Sequence, residues 1–148
     1  MPSRHLPAAQ LRKLRRHLQQ GGVIAYATES CFGLGCDPRN ARAVRRILRL
    51  KGRPQSKGLI LIAGKINQIE RFVAPLDAAQ NKVLMQEWPG PTTFLLPAKS
   101  DPPATPRWLR GKHDNIAVRV TAHADAAALC NVLGMALVSP SANRSGKR

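Results

Sequence analysis

Apolar and polar positions alternate along this chain in blocks that change period, and the changes mark its elements. Leu11, Leu14 and Leu18 recur at three- and four-residue intervals, the spacing that lines one side of a helix, and Gly21-Gly22 closes it. Val23–Ala27 is a short unbroken apolar run, the length of a buried strand, and Thr28–Asp37 reads as a loop with two glycines. Asn40 offers an N-cap to a helix from Ala41 to about Leu50, and Leu59–Ala63 is the next buried strand. Helical stretches are expected around Ile66–Val73 and Leu76–Trp88, before Pro89-Gly90-Pro91 breaks the chain. Thr92–Leu96 and Ile116–Val120 read as strands, Ala124–Leu133 as a helix and Met135–Ser139 as a last strand. Between them, Lys99–Asn115 holds prolines, Gly111 and several charges and is expected to be a long loop, a kind of segment that usually serves function or lacks order. Apolar strands separated by helices predict an α/β domain with a largely buried sheet, mixed or parallel.

The helix from Ala41 shows its two sides in the sequence. At about 100° per residue, Ala41, Val44, Ile47 and Leu48 fall on one side, and Arg42, Arg45, Arg46 and Arg49 on the other. The arginines read equally as a solvated basic face or as a contact for an RNA backbone. Lys51 continues the apolar stripe, where it either caps the helix dipole or points inward to a ligand.

Length and charge narrow the class. With 148 residues, the chain fits one domain, residues 1–148, and 43% hydrophobic residues argue against disorder. Lys and Arg number 24 against 8 Asp and Glu, a net charge of +16, so polyanions or anionic substrates are the natural partners. Cys31, Cys36 and Cys130 form no CxxC pair and read as reduced thiols. The basic N-terminus leads into no apolar run of signal-peptide or membrane-span length, so a cytoplasmic protein with no membrane partner is expected.

No Walker A, HExxH, EF-hand or GxSxG pattern occurs, and the four histidines do not cluster at metal-ligand spacing. Three segments stand out instead: Thr28-Glu29-Ser30, Lys51 to Lys57, and Ser139 to Asn143. Each mixes small, hydroxyl or basic residues, and two of them follow predicted strands, where α/β sheets line their ligand crevices. Lys51, Arg53 and Lys57 bring three cations to a helix end, a grouping suited to a triphosphate.

These segments carry a resemblance. ATESCFGLG, LKGRPQSKGLILIA, WPGPTTFLLPA, IAVRV and LVSPSANRSG resemble, in order and rough spacing, the motifs of the YrdC-type family of threonylcarbamoyl-AMP synthases, from about Gly22 to Gly146. The resemblance implies a twisted mixed sheet with flanking helices and a concave electropositive cavity. It implies an enzyme joining L-threonine, bicarbonate or CO2, and ATP into threonylcarbamoyl-AMP and pyrophosphate, for modification of tRNA by a downstream threonylcarbamoyl-transferase complex. Position by position, Ser30, Arg119 and Ser139 match residues that hold threonine, with Thr28 in the first of these motifs. Arg53, Lys57, Asn115 and Ser141 match residues around the nucleotide, with Asn143 in the last motif. Lys51 opens the family's KxR, and with Arg53 it is the candidate for catalysis by charge neutralisation. Mg2+ is expected with ATP. A second reading is a non-catalytic protein of the same fold that binds tRNA, double-stranded RNA or ribosomal RNA through its basic surface.

The sequence departs from the family at Ala27, where proline is usual, and at Ile62, where many members carry a polar residue near threonine. It stops at Arg148, soon after the SPSAN motif, where the family continues with at least one more helix and strand. A truncated chain is therefore expected, with an apolar patch exposed beside Val23–Ala27 or Met135–Ser139; the alternative is a natural short form whose edge the N-terminal helix or a partner chain covers.

Overall fold

The structure is a computed structural model, and it describes residues 7–27, 32–52, 59–102 and 104–139. Thr28, Ser30, Arg53, Lys57, Ser141 and Asn143 lie outside the described residues.

Helix α1 (Ala8–Gln19) leads into strand β1 (Ile24–Ala27), which pairs with β2 (Phe32–Gly35) in an antiparallel hairpin, with Tyr26 opposite Gly33. Strand β2 corrects the expected loop over Thr28–Asp37. Its two glycines hide the alternation that marks a strand, and both serve the pairing. The Tyr26 ring lies over Gly35, where a Cβ would fall 2.5 Å from Tyr26 Cε1.

Helix α2 (Ala41–Lys51) forms as its pattern predicts. The Asn40 side chain accepts the Ala43 N–H at 3.0 Å, and Gly52 ends the helix in the left-handed conformation at φ 63°. Strand β3 (Ile60–Ala63) follows, then two 3-10 turns, Ile66–Gln68 and Glu70–Phe72, and helix α3 (Ala78–Glu87). Asp77 and Gln80 cap α3 reciprocally. Strand β4 is Phe94–Pro97, β5 is Asn115–Val120, helix α5 is Ala124–Leu133, and β6 is Leu137–Val138.

The expected loop over Lys99–Asn115 is instead a strapped connection. It contains a short helix, α4 (Arg107–Arg110), whose Leu109 is fully buried. Thr105 Oγ1 donates to the Phe72 carbonyl at 2.6 Å and accepts from Lys99 N–H at 2.9 Å. Trp108 Nε1 donates to the Pro38 carbonyl at 2.9 Å. Prolines and charges at its surface mask the few apolar anchors that hold it down.

The main sheet has the order β4-β5-β3-β6. Strands β3 and β5 run parallel, and β4 and β6 are antiparallel to their neighbours, so the sheet is mixed as expected. Val138 N–H donates to the Cys36 carbonyl at 3.2 Å, which attaches the hairpin beyond β6. Leu137 and Val138 are fully buried, and the large apolar side chains left exposed among the described residues are Leu50, Val83, Met85, Leu95 and Val132. None of them lies on β1 or β6.

The two faces of the sheet pack differently. Leu61, Ala63, Leu96, Ile116, Val118 and Val138 share one face and form a core with Val44, Ile47 and Leu48 of α2. On the other face, Ile62 and Leu137 pack with Tyr26, Leu18 of α1, and Ala126, Cys130 and Leu133 of α5. That second layer covers the β3–β6 side of its face. Farther across, Leu95 on β4 is 70% exposed, Asn115 is exposed, and Ala117 and Arg119 are half-buried.

Candidate active site

The uncovered part of the second face holds two of the polar residues that the sequence singled out, Asn115 and Arg119. Side chains of a strand alternate between faces, so Asn115, Ala117 and Arg119 of β5 point one way, and Ile116, Val118 and Val120 point into the main core. The single arginine in an apolar strand thus reaches the open face. Arg119 stands in register with Ile62 of β3, which pairs with Leu137 of β6, two residues before Ser139. Ile62 is 1% exposed and belongs to the layer under α5, so an apolar residue suits that position here.

Arg119 is placed but not satisfied. One terminal nitrogen, Nη1, donates to the Pro91 carbonyl at 3.4 Å, a long contact from the WPGP turn. The turn itself is fixed by Gly90 N–H donating to the Val120 carbonyl at 2.9 Å. Arg119 Nε is buried and has no hydrogen-bond partner. A buried, unmet guanidinium donor costs about 1–3 kcal/mol, more for a charged group, unless an anion completes it.

Ser139 and Tyr26 lie beside it. Ser139 is 6% exposed, and its backbone N–H donates to the Ile60 carbonyl at 2.7 Å. Tyr26 is buried, and its hydroxyl donates to the Val138 carbonyl at 3.4 Å. Burial drives the Tyr26 phenol well above its ordinary range, while the Ser139 side chain and the Arg119 charge pull the other way. Tyr26 therefore stays a neutral donor in contact with Ser139 and within the field of Arg119.

Arg119 and Ser139 are thus brought together around Tyr26. Asn115 shares their sheet face four residues along β5, about 13 Å from Arg119 at roughly 3.3 Å per residue. Lys51 is 4% exposed at the C-terminal end of α2, whose apolar side packs on the opposite face. It is buried in the last turn of the helix and has an interaction partner, which both the dipole-capping and the inward-pointing readings allow. Arg42, Arg45, Arg46 and Arg49 are exposed on the outer side of α2, away from this cluster.

Tyr26 was not singled out from the sequence. Its signal was there: a polar tip inside the apolar run VIAYA, which must find a partner once buried.

Comparison with known proteins agrees with the geometry. A family model, Sua5/yciO/yrdC, described as "Telomere recombination", matches residues 16–148. A threonylcarbamoyl-AMP synthase of Chromobacterium violaceum is 58% identical, over 99% of this chain and 75% of its own length. One of Methylobacillus flagellatus is 55% identical, over 92% of this chain and 74% of its own length. Among solved structures, P. abyssi Sua5 complexed with L-threonine superposes with a TM-score of 0.83 at 31% identity, and the match covers 98% of this chain and 42% of that one. The chain thus spans about three quarters of these curated relatives and under half of the Sua5 chain. E. coli YciO gives a TM-score of 0.75 at 26% identity, covering 93% of this chain. Motif order, sheet topology and relatives converge, and the chain belongs to the Sua5/yciO/yrdC family.

Proposed function

We propose that this chain is a threonylcarbamoyl-AMP synthase. It joins L-threonine, bicarbonate or CO2, and ATP, releasing pyrophosphate, and its product supplies the threonylcarbamoyl group of modified tRNA through a downstream transferase complex in the cytoplasm. The observation that carries the reading is Arg119: a guanidinium on the open sheet face with a buried, unpartnered Nε is a site built for an anion. The carboxylate of threonine is such an anion, and a charge-assisted contact to it contributes about 1.5–3 kcal/mol. The name of the P. abyssi complex and those of the curated relatives support this choice.

The assigned roles follow the same chemistry. Arg119 and Ser139 hold threonine, with Thr28 and Ser30, and Tyr26 orients Ser139. Arg53, Lys57, Asn115, Ser141 and Asn143 surround the nucleotide in a concave, electropositive cavity. The nucleophile is a carbamate, formed on the threonine amine, and it attacks the α-phosphorus as pyrophosphate leaves. Nucleophile and triphosphate are both anions, so repulsion and the disorder of three small reactants form much of the barrier. Lys51 and Arg53 offset that repulsion by placing positive charge at the reacting phosphates. Mg2+ would come with ATP and would offset part of the phosphate charge; among the described residues no group of three or more His, Cys, Asp or Glu is placed to hold a metal.

The test is direct. The protein, ATP, bicarbonate and labelled threonine are incubated together, and pyrophosphate and labelled adenylate are measured. Threonine-dependent release of both is expected. ATP turnover indifferent to threonine, or no turnover by a folded protein, would overturn the reading.

A further inference from the structure

The α2 side of the sheet is not closed all the way to its edge. Beside β4, a cavity of about 390 Å3 opens between the 3-10 turns and α3. Its floor is core: Ile69, Val73, Leu84 and Leu96 are buried members of the cluster that packs on α2. Ile66 and Leu76 continue the apolar lining and are half-buried. Leu96 stands in register with Ile116 and shares its face, so the cavity lies across the sheet from Arg119. Two opposite charges join this lining, Glu70 and Lys99. Backbone bonds fix where both emerge. Lys99 N–H donates to the Phe72 carbonyl at 3.2 Å and to Thr105 Oγ1 at 2.9 Å. Glu70 opens the second 3-10 turn, which Phe72 N–H closes on the Ile69 carbonyl at 2.9 Å. Neither charge forms an ion pair with a described residue, although 24 Lys and Arg are present to neutralise 8 acids.

We infer that this cavity binds a free α-amino acid with a branched apolar side chain, leucine being the simplest example. The side chain lies on the apolar floor, the ammonium group meets Glu70 and the carboxylate meets Lys99. At about 390 Å3 the space falls within the range of small-molecule sites, which are mostly apolar with a few polar groups that fix orientation. The two charges decide the class of ligand. A fatty acid satisfies Lys99 but sets its chain or its carboxylate against Glu70, and an apolar amine meets Lys99 in the same way. A zwitterion answers both. Asn81 of α3, also in the lining, offers an amide to either end. Threonine fits poorly, because its short hydroxylated side chain leaves the apolar floor uncovered. The cavity shares no residue with the proposed threonine site, so it stands independently of the proposed reaction.

The experiment titrates L-leucine into the whole protein in a calorimeter, beside 4-methylpentanoate and 3-methylbutylamine, which keep the branched chain and one charge each. Leucine is expected to saturate a single site per chain, and each one-charge analogue to bind the parent about threefold to tenfold more weakly. Glu70→Gln should weaken leucine by a similar factor and leave 4-methylpentanoate as tight or tighter. Lys99→Gln should weaken leucine and spare the amine. Neither side chain bonds to a described residue, so both variants should melt with the parent. Arg119→Ala should bind leucine as the parent does, which separates this cavity from the open face. Four results would overturn the inference: no saturable binding up to about 10 mM leucine, 4-methylpentanoate bound by the parent as tightly as leucine, leucine affinity unmoved in both rim variants, or leucine binding lost with Arg119→Ala.

Discussion

The two faces of the central sheet carry similar strands to opposite ends. On the α2 side, Leu61, Ile116 and Val118 are sealed at 0–1% exposure against Val44 and Ile47. On the other side, α1 and α5 cover only the β3–β6 half, and the rest shows Leu95, Asn115 and a guanidinium with an unmet donor. The same β5 strand serves both, since alternation sends Val118 to one side and Arg119 to the other. A sealed core position and an unmet guanidinium are therefore divided by a one-residue step along a strand, and substitutions on the two faces should fail in different ways.

The largest effect should come from the sealed face. Leu61→Ala leaves a cavity under α2 and should cost about 2–5 kcal/mol in urea unfolding; a loss under 1 kcal/mol would mean this face is not the stabilising one. Arg119→Ala should cost about 1.5–3 kcal/mol of transition-state stabilisation, read as a tenfold to hundredfold fall in kcat/KM for threonine. Its unfolding free energy should stay level or rise, because a buried unmet donor is gone. Arg119→Lys should restore little, since a lysine lacks the Nε donor that stands unmet here. Arg119→Ala unfolding easily with turnover intact would reverse the comparison.

A third measurement asks whether the covered half of the reactive face is as dry as the sealed one. Cys36 lies in the core on the α2 side and Cys130 on the buried side of α5, and burial pushes each thiol from about 9 to about 12, with the Asp37 charge adding to the rise at Cys36. Both folded values lie above the unfolded one, so the folded thiols stay protonated while those of the unfolded chain ionise. Their contribution is whole below pH about 9 and declines as pH climbs toward about 12, by about 1.4 kcal/mol per thiol per pH unit. Cys36→Ala and Cys130→Ala should each flatten that decline equally; a flat profile with Cys130 still in place would show water reaching the α5 layer. The smallest effect belongs to the uncovered surface, where Leu95→Gln should change unfolding stability by under about 0.5 kcal/mol.

Much of this division was legible in the sequence. The run IAVRV placed an arginine at an alternate position of a buried strand, and the apolar and arginine sides of α2 were readable at 100° per residue. What escaped reading depended on pairing across the chain. Strand β2 is written FGLG, and its glycines make sense only with Tyr26 on the facing strand. The segment from Lys99 to Asn115 is held by Thr105, Trp108 and Leu109 reaching Phe72, Pro38 and Leu59, partners far away in sequence. The unmet Nε of Arg119 is likewise a property of its surroundings, and no local pattern announces it.

The closeness of Tyr26 to Gly35 has an evolutionary consequence. Any side chain at 35 would collide with the aromatic ring, whose hydroxyl is anchored to the Val138 carbonyl and cannot easily swing aside. The two positions are thus heritable only as a pair. Glycine at 35 should persist in every lineage that keeps an aromatic residue at 26, and a lineage that acquires alanine or serine at 35 should first, or simultaneously, have shrunk its residue at 26. In a deep mutational scan of single changes, position 35 should look intolerant beside a wild-type Tyr26 and become permissive in a library built on Tyr26→Ala.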